Sequence, residues 1–334
     1  MSASGLEGGD AARERARILA EALRRGERRA IARAISQVED STAVGRALLT
    51  QVYEWTGGAY RLGVTGPPGS GKSTLVNGLA QRLRRRGERV GILAIDPTSP
   101  FTGGAILGDR VRMPVAAEDE GLFMRSLASR GSLGGVSSAT YEASEVLEAA
   151  GFDRILIETV GVGQAELEVV ELADTVILML VPESGDGVQV MKAGVMEIAD
   201  IFVVNKYDRE GGDRLAREIS LSLELSSWSR GGWQPPVCTA VATRDEGVDE
   251  ILQATDEHRA WLAADEARLR RVRVAKLKRR LRLLLNRALL EQAWVEAGIE
   301  DQLEAIAPRI AAREISPYRW VDSVRAACRR GKES

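Results

Sequence analysis

Residues 61–75, Arg-Leu-Gly-Val-Thr-Gly-Pro-Pro-Gly-Ser-Gly-Lys-Ser-Thr-Leu, restrict the possible folds more than any other part of the chain. They read as an apolar strand, a glycine-rich loop and the start of a helix. Within them, residues 66–73 fit G-x-x-x-x-G-K-[ST], a loop whose successive N–H groups turn toward nucleotide phosphates at a helix amino end. The predicted contacts are Gly66, Gly69, Ser70, Gly71, Lys72, Ser73 and Thr74. Lys72 is expected at the β- and γ-phosphates and the Ser73 hydroxyl on Mg²⁺. Glycine is needed in the loop because a side chain would keep the backbone from closing on the phosphate.

The surroundings suit that loop. Apolar runs at 90–95, 155–157, 175–181 and 200–204 alternate with helical patterns from Tyr60 to about Asp256. This predicts an α/β fold, a mainly parallel central sheet flanked by helices with ligands at the carboxyl ends of its strands. Helical sequence brackets this region. The expected division is a helical extension at 1–56, a phosphate-loop domain at 57–256 and a helical arm at 257–334, with residues 1–9 disordered. The arm carries a basic run from Arg268 to Arg282, expected to be a solvated helix or an oligomer contact.

A net charge of −2 and a pI near 5.8 argue against a general nucleic-acid binder or an obligatory membrane-surface protein. Cys238 and Cys328 lie far apart and outside any C-x-x-C pattern, which suits a reducing cytoplasm and makes neither a disulfide framework nor a zinc site. With His258 as the one histidine, a histidine-based metal or triad site is excluded by arithmetic, and His258 is expected to be an ordinary surface residue. No apolar run is long enough to span a bilayer, and the amino-terminal residues are charged rather than signal-like.

The identity of the base is read from Asn205-Lys-Tyr-Asp208, which follows the run at 201–204. Asp208 can accept from the N1–H and the exocyclic amine of guanine, a donor pair that adenine lacks, and such polar complementarity discriminates strongly. Lys206 is expected to cover the base, Asn205 to tie the loop together, and the N–H near Ala242 to meet the guanine carbonyl. Around the γ-phosphate, Glu158-Thr-Val-Gly161 stands where most GTPases have D-x-x-G. Glu158 could reach the metal directly or through water, and the Gly161 N–H could sense the γ-phosphate. Asp96 and Asp109 are further candidate metal carboxylates. A hard cation on phosphates needs only one or two protein oxygens, so some of these stand behind the ligands. Val162 occupies the place where Ras-like proteins have a water-orienting glutamine, and Gln164 lies further on. Slow hydrolysis without a partner follows. Arg110 and Arg112 are candidate charge donors that spacing does not separate from surface arginines.

Together these residues resemble the MeaB/ArgK/MMAA family of P-loop GTPases in the SIMIBI class. The likeness runs through residues 66–74, 94–110, 130–135, 158–166 and 196–206, and includes 28–39. It implies a GTP-dependent chaperone of adenosylcobalamin-dependent acyl-CoA mutases such as methylmalonyl-CoA mutase, working as a homodimer through the helical arm. By that similarity Lys72, Ser73, Asp96, Asp109 and Glu158 serve phosphate and Mg²⁺, and Asn205, Lys206 and Asp208 serve guanine. A segment that signals to the mutase maps to 182–192, with Asp186, Gln189 and Lys192 as its polar positions. Here the chain departs from the family, with Glu183, Gly187, Val190 and Ala193, which points to a different mutase client. Val241 stands where the base loop commonly has serine. A metal-insertion GTPase, a transport-associated nucleotide-dependent kinase and a nucleotide-clamped scaffold are the alternatives.

Overall fold

The computed structural model describes residues 3–96, 119–128, 135–159, 165–182, 195–225, 232–296 and 298–330. Three helices come first, α1 (Ala3–Arg24), α2 (Arg28–Glu39) and α3 (Ala43–Val52). Strands and helices then alternate: β1 (Tyr60–Thr65), α4 (Lys72–Arg85), β2 (Val90–Asp96), β3 (Leu122–Ala128), α5 (Gly135–Ala149), β4 (Arg154–Glu158), α6 (Ala165–Leu172), β5 (Thr175–Leu180), β6 (Ile201–Asn205), α7 (Gly212–Leu225), β7 (Val237–Ala240) and α8 (Val248–Ala263). The chain ends in α9 (Glu266–Glu296), α10 (Ile299–Ala311) and α11 (Pro317–Arg330).

The strands form one seven-stranded sheet in the order β3-β2-β4-β1-β5-β6-β7, and every pairing in it is parallel. Parallel strands need both faces covered, which is why β2, β4, β5 and β6 are buried from end to end. The pleat divides them between two cores. Leu93, Ile95, Ile155 and Ile157 face one way, under α1, α2, α3, α5 and α6, while Ile92, Ala94 and Leu156 face the other, under α4 and α8. Each fully buried aliphatic side chain contributes roughly 1.5–3 kcal/mol. A third cluster joins Leu178, Phe202 and Val204 of the sheet to Ile219 of α7.

Buried charge fixes the approach to β1. The Glu148 carboxylate of α5 accepts from the Gly57 and Ala59 N–H groups at 2.7 and 2.8 Å and pairs with Arg61 at 2.8 Å. On the other face, Arg82 of α4 pairs with Asp245 and Asp249, fastening α4 to the start of α8. Arg154, at the head of β4, pairs with Glu88 and Asp256. Burial opposes the Arg154 charge, and the hydrogen bonds to Asp256 and Glu88 outweigh it, so its pKa rises.

The structure departs from the sequence-based expectation at several points. Helix α1 begins at Ala3, inside the stretch expected to be disordered. Strand β3 had no predicted counterpart, because Arg125 interrupts its apolar run. His258 is buried at 3% exposure, not a surface residue. Its position explains this: Val248, Ile251, Thr255, His258 and Leu262 recur at three- and four-residue steps along the covered face of α8. The thiol of Cys238 is free, and burial pushes it up to about 11.

The chain falls into two compact units, Met1–Arg273 and Val274–Ser334. Helix α8 runs through the boundary expected at 256/257 and belongs to the first. In the second unit α9 exposes Val274, Leu277, Leu281, Leu285 and Leu289, an apolar stripe at three- to four-residue spacing. Among the described residues, no helix is long and apolar enough to cross a membrane.

Candidate functional site

Three neighbouring strands bring the chemistry together. In the sheet register Val64 of β1 and Ala94 of β2 both stand beside Glu158, the last residue of β4. The loop leaving β1, the Asp96 carboxylate ending β2 and the Glu158 carboxylate ending β4 therefore gather at one edge. Here the chain also crosses over β1, from β4 on one side to β5 on the other, which opens the crevice where parallel sheets bind ligands.

The loop has the backbone that its glycines predict. Gly66 and Gly71 have φ of 142° and 94°, and a Cβ on them would come within 2.2 Å of Met179 O and 2.4 Å of Asn205 Nδ2. No alanine fits either position. A Cβ on Gly69 would meet nothing within 4 Å, so the loop is open there. Gly71 precedes the first residue of α4, and no side chain caps that helix. Its first-turn N–H groups are left for an anion. Lys72 is folded over the loop and donates to Gly66 O at 2.8 Å and Pro67 O at 3.0 Å.

Three of the side chains expected around Mg²⁺, Ser73, Asp96 and Glu158, bring hard oxygen donors to this end of the sheet. Ser73 Oγ donates to Glu158 Oε1, and Asp96 is fully buried. Among the described residues no three His, Cys, Asp or Glu side chains make a metal cage of their own. A cation held also by phosphate oxygens and water needs none. The hydroxyl of Ser70 is buried without a hydrogen-bond partner in the loop, a polar atom placed where a phosphate oxygen would satisfy it. Thr159 continues the β1–β4 pairing past Glu158, its N–H donating to Val64 O and its hydroxyl to Thr65 Oγ1 at 3.0 Å.

The second half of the site hangs from Asn205, the last residue of β6. Its Nδ2 donates to Ser70 O at 2.7 Å, and its Oδ1 accepts from the Ala242 N–H at 3.0 Å. One side chain thus ties the phosphate loop to the turn after β7. The Ala242 N–H, expected on the guanine carbonyl, is engaged by Asn205 instead. Lys206 adopts a left-handed backbone at φ 55°, and the Tyr207 N–H donates to Ala240 O, so the loop folds back over β7. Asp208 Oδ2 lies 3.0 Å from the Arg244 guanidinium. Sequence reasoning missed Arg244, although it lies two residues past Ala242 in the turn already singled out for the base. The expected site residues Asp109, Gly161, Gln164, Asp186, Gln189 and Lys192 lie outside the described residues, as do Arg110, Arg112 and Val162.

This arrangement can seat a triphosphate and a divalent cation at one end of the sheet and a base beside Asp208. Known proteins are similar to this chain in sequence. The family model described as "Methylmalonyl Co-A mutase-associated GTPase MeaB" matches residues 31–297. A protein of Pyrococcus abyssi described as a GTPase is 46% identical over 309 residues, spanning 92% of this chain and 94% of its own length. The GTPase ArgK of Escherichia coli is 36% identical over 312 residues, spanning 89% and 94%. A solved structure described as LAO/AO transport system kinase superposes with a TM-score of 0.68 at 29% identity, covering 94% of this chain and 97% of that one.

Proposed function

The chain belongs to the MeaB family of P-loop GTPases, and from that premise we propose that it is a GTP-hydrolysing chaperone of an adenosylcobalamin-dependent acyl-CoA mutase, methylmalonyl-CoA mutase or a relative. It would gate cofactor loading and protect or reactivate that enzyme. The nucleotide part of this reading rests on Asn205, which links the Ser70 carbonyl to the Ala242 amide so that phosphate loop and base loop share one support, with Asp208 as the reader of guanine. The mutase part rests on the family's description as mutase-associated.

In the proposed reaction a water attacks the γ-phosphorus, the bond to the β-phosphate oxygen breaks, and GDP, phosphate and a proton leave. Lys72 exchanges its contacts with Gly66 O and Pro67 O for β- and γ-phosphate oxygens and stabilises the charge that grows there. The first-turn amides of α4 act on the same oxygens. Ser73 and Glu158 would hold Mg²⁺, with Asp96 beside them and Asp109 as a further carboxylate. When bound, the cation neutralises phosphate charge. With Val162 in the place of a water-orienting glutamine, the isolated protein hydrolyses slowly. Gly161 would sense the γ-phosphate, and Gln164 with residues 182–192, including Asp186, Gln189 and Lys192, would carry the nucleotide state to the mutase. A second copy would cover the apolar stripe on α9, making a homodimer, and the compartment would be the cytoplasm.

GTP turnover measured with and without a cobalamin-dependent mutase tests this. The mutase should raise turnover, and it should be retained differently by the GDP-loaded protein and by the protein bearing a non-hydrolysable GTP analogue. If no such mutase changes turnover or is retained in either state, a nucleotide-clamped scaffold becomes the better reading.

A further inference from the structure

A second concave site lies at the other end of β2. It is a hollow of about 700 Å³ between the α1–α2 turn, the α4–β2 turn and the residues just before β3, and Arg24, Arg25, Arg28, Arg84 and Arg89 line it. That volume falls within the roughly 300–1,000 Å³ of small-molecule pockets. The seven residues of β2 separate it from Asp96 by about 20 Å, at about 3.3 Å per residue.

Two of the five charges are answered locally, Arg84 by Asp119 at 2.9 Å and Arg25 by Glu27 at 2.8 Å. Glu120 is the other carboxylate in the lining. Among the described residues, Arg24 and Arg89 pair with no carboxylate. Arg89 is fastened instead to the carbonyls of Ala150 and Gly151, which fix its geometry and leave its charge uncancelled. Aromatic rings orient three of the guanidiniums: Arg24 lies over Trp55 at 5.2 Å, Arg28 over Phe123 at 5.4 Å and Arg89 over Phe152 at 4.6 Å. Gly26, at φ 72°, makes room for this, since a Cβ there would stand 3.3 Å from the Arg89 guanidinium. The amino end of α2 opens on the same hollow, with no side-chain cap and no acidic residue in its first turn. Arginines that only complemented helix carboxyl ends would explain Arg24 and Arg84. Arg89 differs in reaching from the α4–β2 turn across to the carbonyls just past α5, where it stands over Phe152 on the rim of the hollow.

We propose that this hollow is a second anion site, taking a small molecule that bears a phosphate or diphosphate group, distinct from the nucleotide loop. The experiment is a calorimetric titration of inorganic pyrophosphate into GDP-loaded protein in magnesium-free buffer, with retention of GDP checked. Wild type should bind one equivalent, as should Lys72→Ala. Arg24→Ala and Arg89→Ala should each weaken binding about tenfold or more, the loss expected for one charge-assisted hydrogen bond. Arg24→Ala removes only a contact with Trp55, so it decides the matter should Arg89→Ala fail to fold. Absence of binding, binding that Lys72→Ala abolishes, or binding indifferent to Arg24→Ala would each overturn the proposal, as would binding of a polyglutamate peptide in place of pyrophosphate.

Discussion

At the carboxyl ends of its strands the sheet carries Asp96, Glu158 and Asn205; at the amino ends of β1 and β5 it carries Tyr60 and Thr175. The second group is as buried as the first. Tyr60 Oη shares a hydrogen bond with Thr175 Oγ1, which lies 2.6 Å from His258 Nδ1, and His258 Nε2 stands 3.8 Å from Asp200 Oδ1. Asp200 accepts from the Val176 N–H at 2.9 Å, and its carbonyl accepts from Trp233 Nε1 at 2.8 Å. The rings of Trp233 and Trp261 enclose the imidazole. Burial, above all, pushes the Tyr60 phenol upward, so it stays protonated. The network of Tyr60, Thr175, His258 and Asp200 answers its polar groups within the chain. The phosphate end leaves uncapped helix amides, an unsatisfied Ser70 hydroxyl and a lysine parked on loop carbonyls. Burial of polar side chains alone does not mark a site; polar groups arranged for something outside the chain do.

Substitutions at the two ends should therefore separate binding from stability. Lys72→Ala should lower GTP turnover about a hundredfold or more, the scale of a lost charge-assisted contact at a transferring phosphoryl group, while the melting temperature of the nucleotide-free protein changes little. Equal turnover in steady-state phosphate release would break the comparison at the phosphate end. His258→Ala should destabilise the fold by about 3 kcal/mol, since it removes a buried ring and its contacts with Thr175 Oγ1 and Asp200. Urea unfolding measures this, and GDP affinity of the folded variant should match wild type. A parallel loss of affinity would mean that the two ends are coupled through the sheet. The smallest effect is expected at Arg244→Ala. The Asp208–Arg244 pair is partly exposed, so GDP binding should weaken only about two- to fivefold, as for a surface ion pair. Tighter binding would mean that Arg244 competes with the base for Asp208.

The same contrast decides what could be read from the sequence. The phosphate loop is local: residues 66–73 contain the backbone freedom, the charge and the helix start that make it. Asn205 and Asp208 are legible for the same reason, as a short run after a buried strand. The network around His258 draws on residues 60, 175, 200, 233 and 261, which only the finished fold brings together. Even so, the helical spacing of Ile251, Thr255, His258 and Leu262 held the clue to its burial. Arg244 and the engagement of the Ala242 amide escaped because they depend on how the turn after β7 closes, through the Arg244 N–H on Val241 O and the Asn205 side chain.

The account depends most on Asp208 as the reader of guanine. Initial rates of GTP, XTP and ATP hydrolysis for wild type and Asp208→Asn, at matched magnesium, test it directly. Wild type should use GTP and neglect ATP and XTP. The variant should reverse GTP and XTP by about a hundredfold, because the asparagine amide can donate to the xanthine 2-carbonyl where the aspartate could only accept. Wild-type hydrolysis of ATP as fast as GTP, or a variant that keeps its preference for GTP, would contradict it.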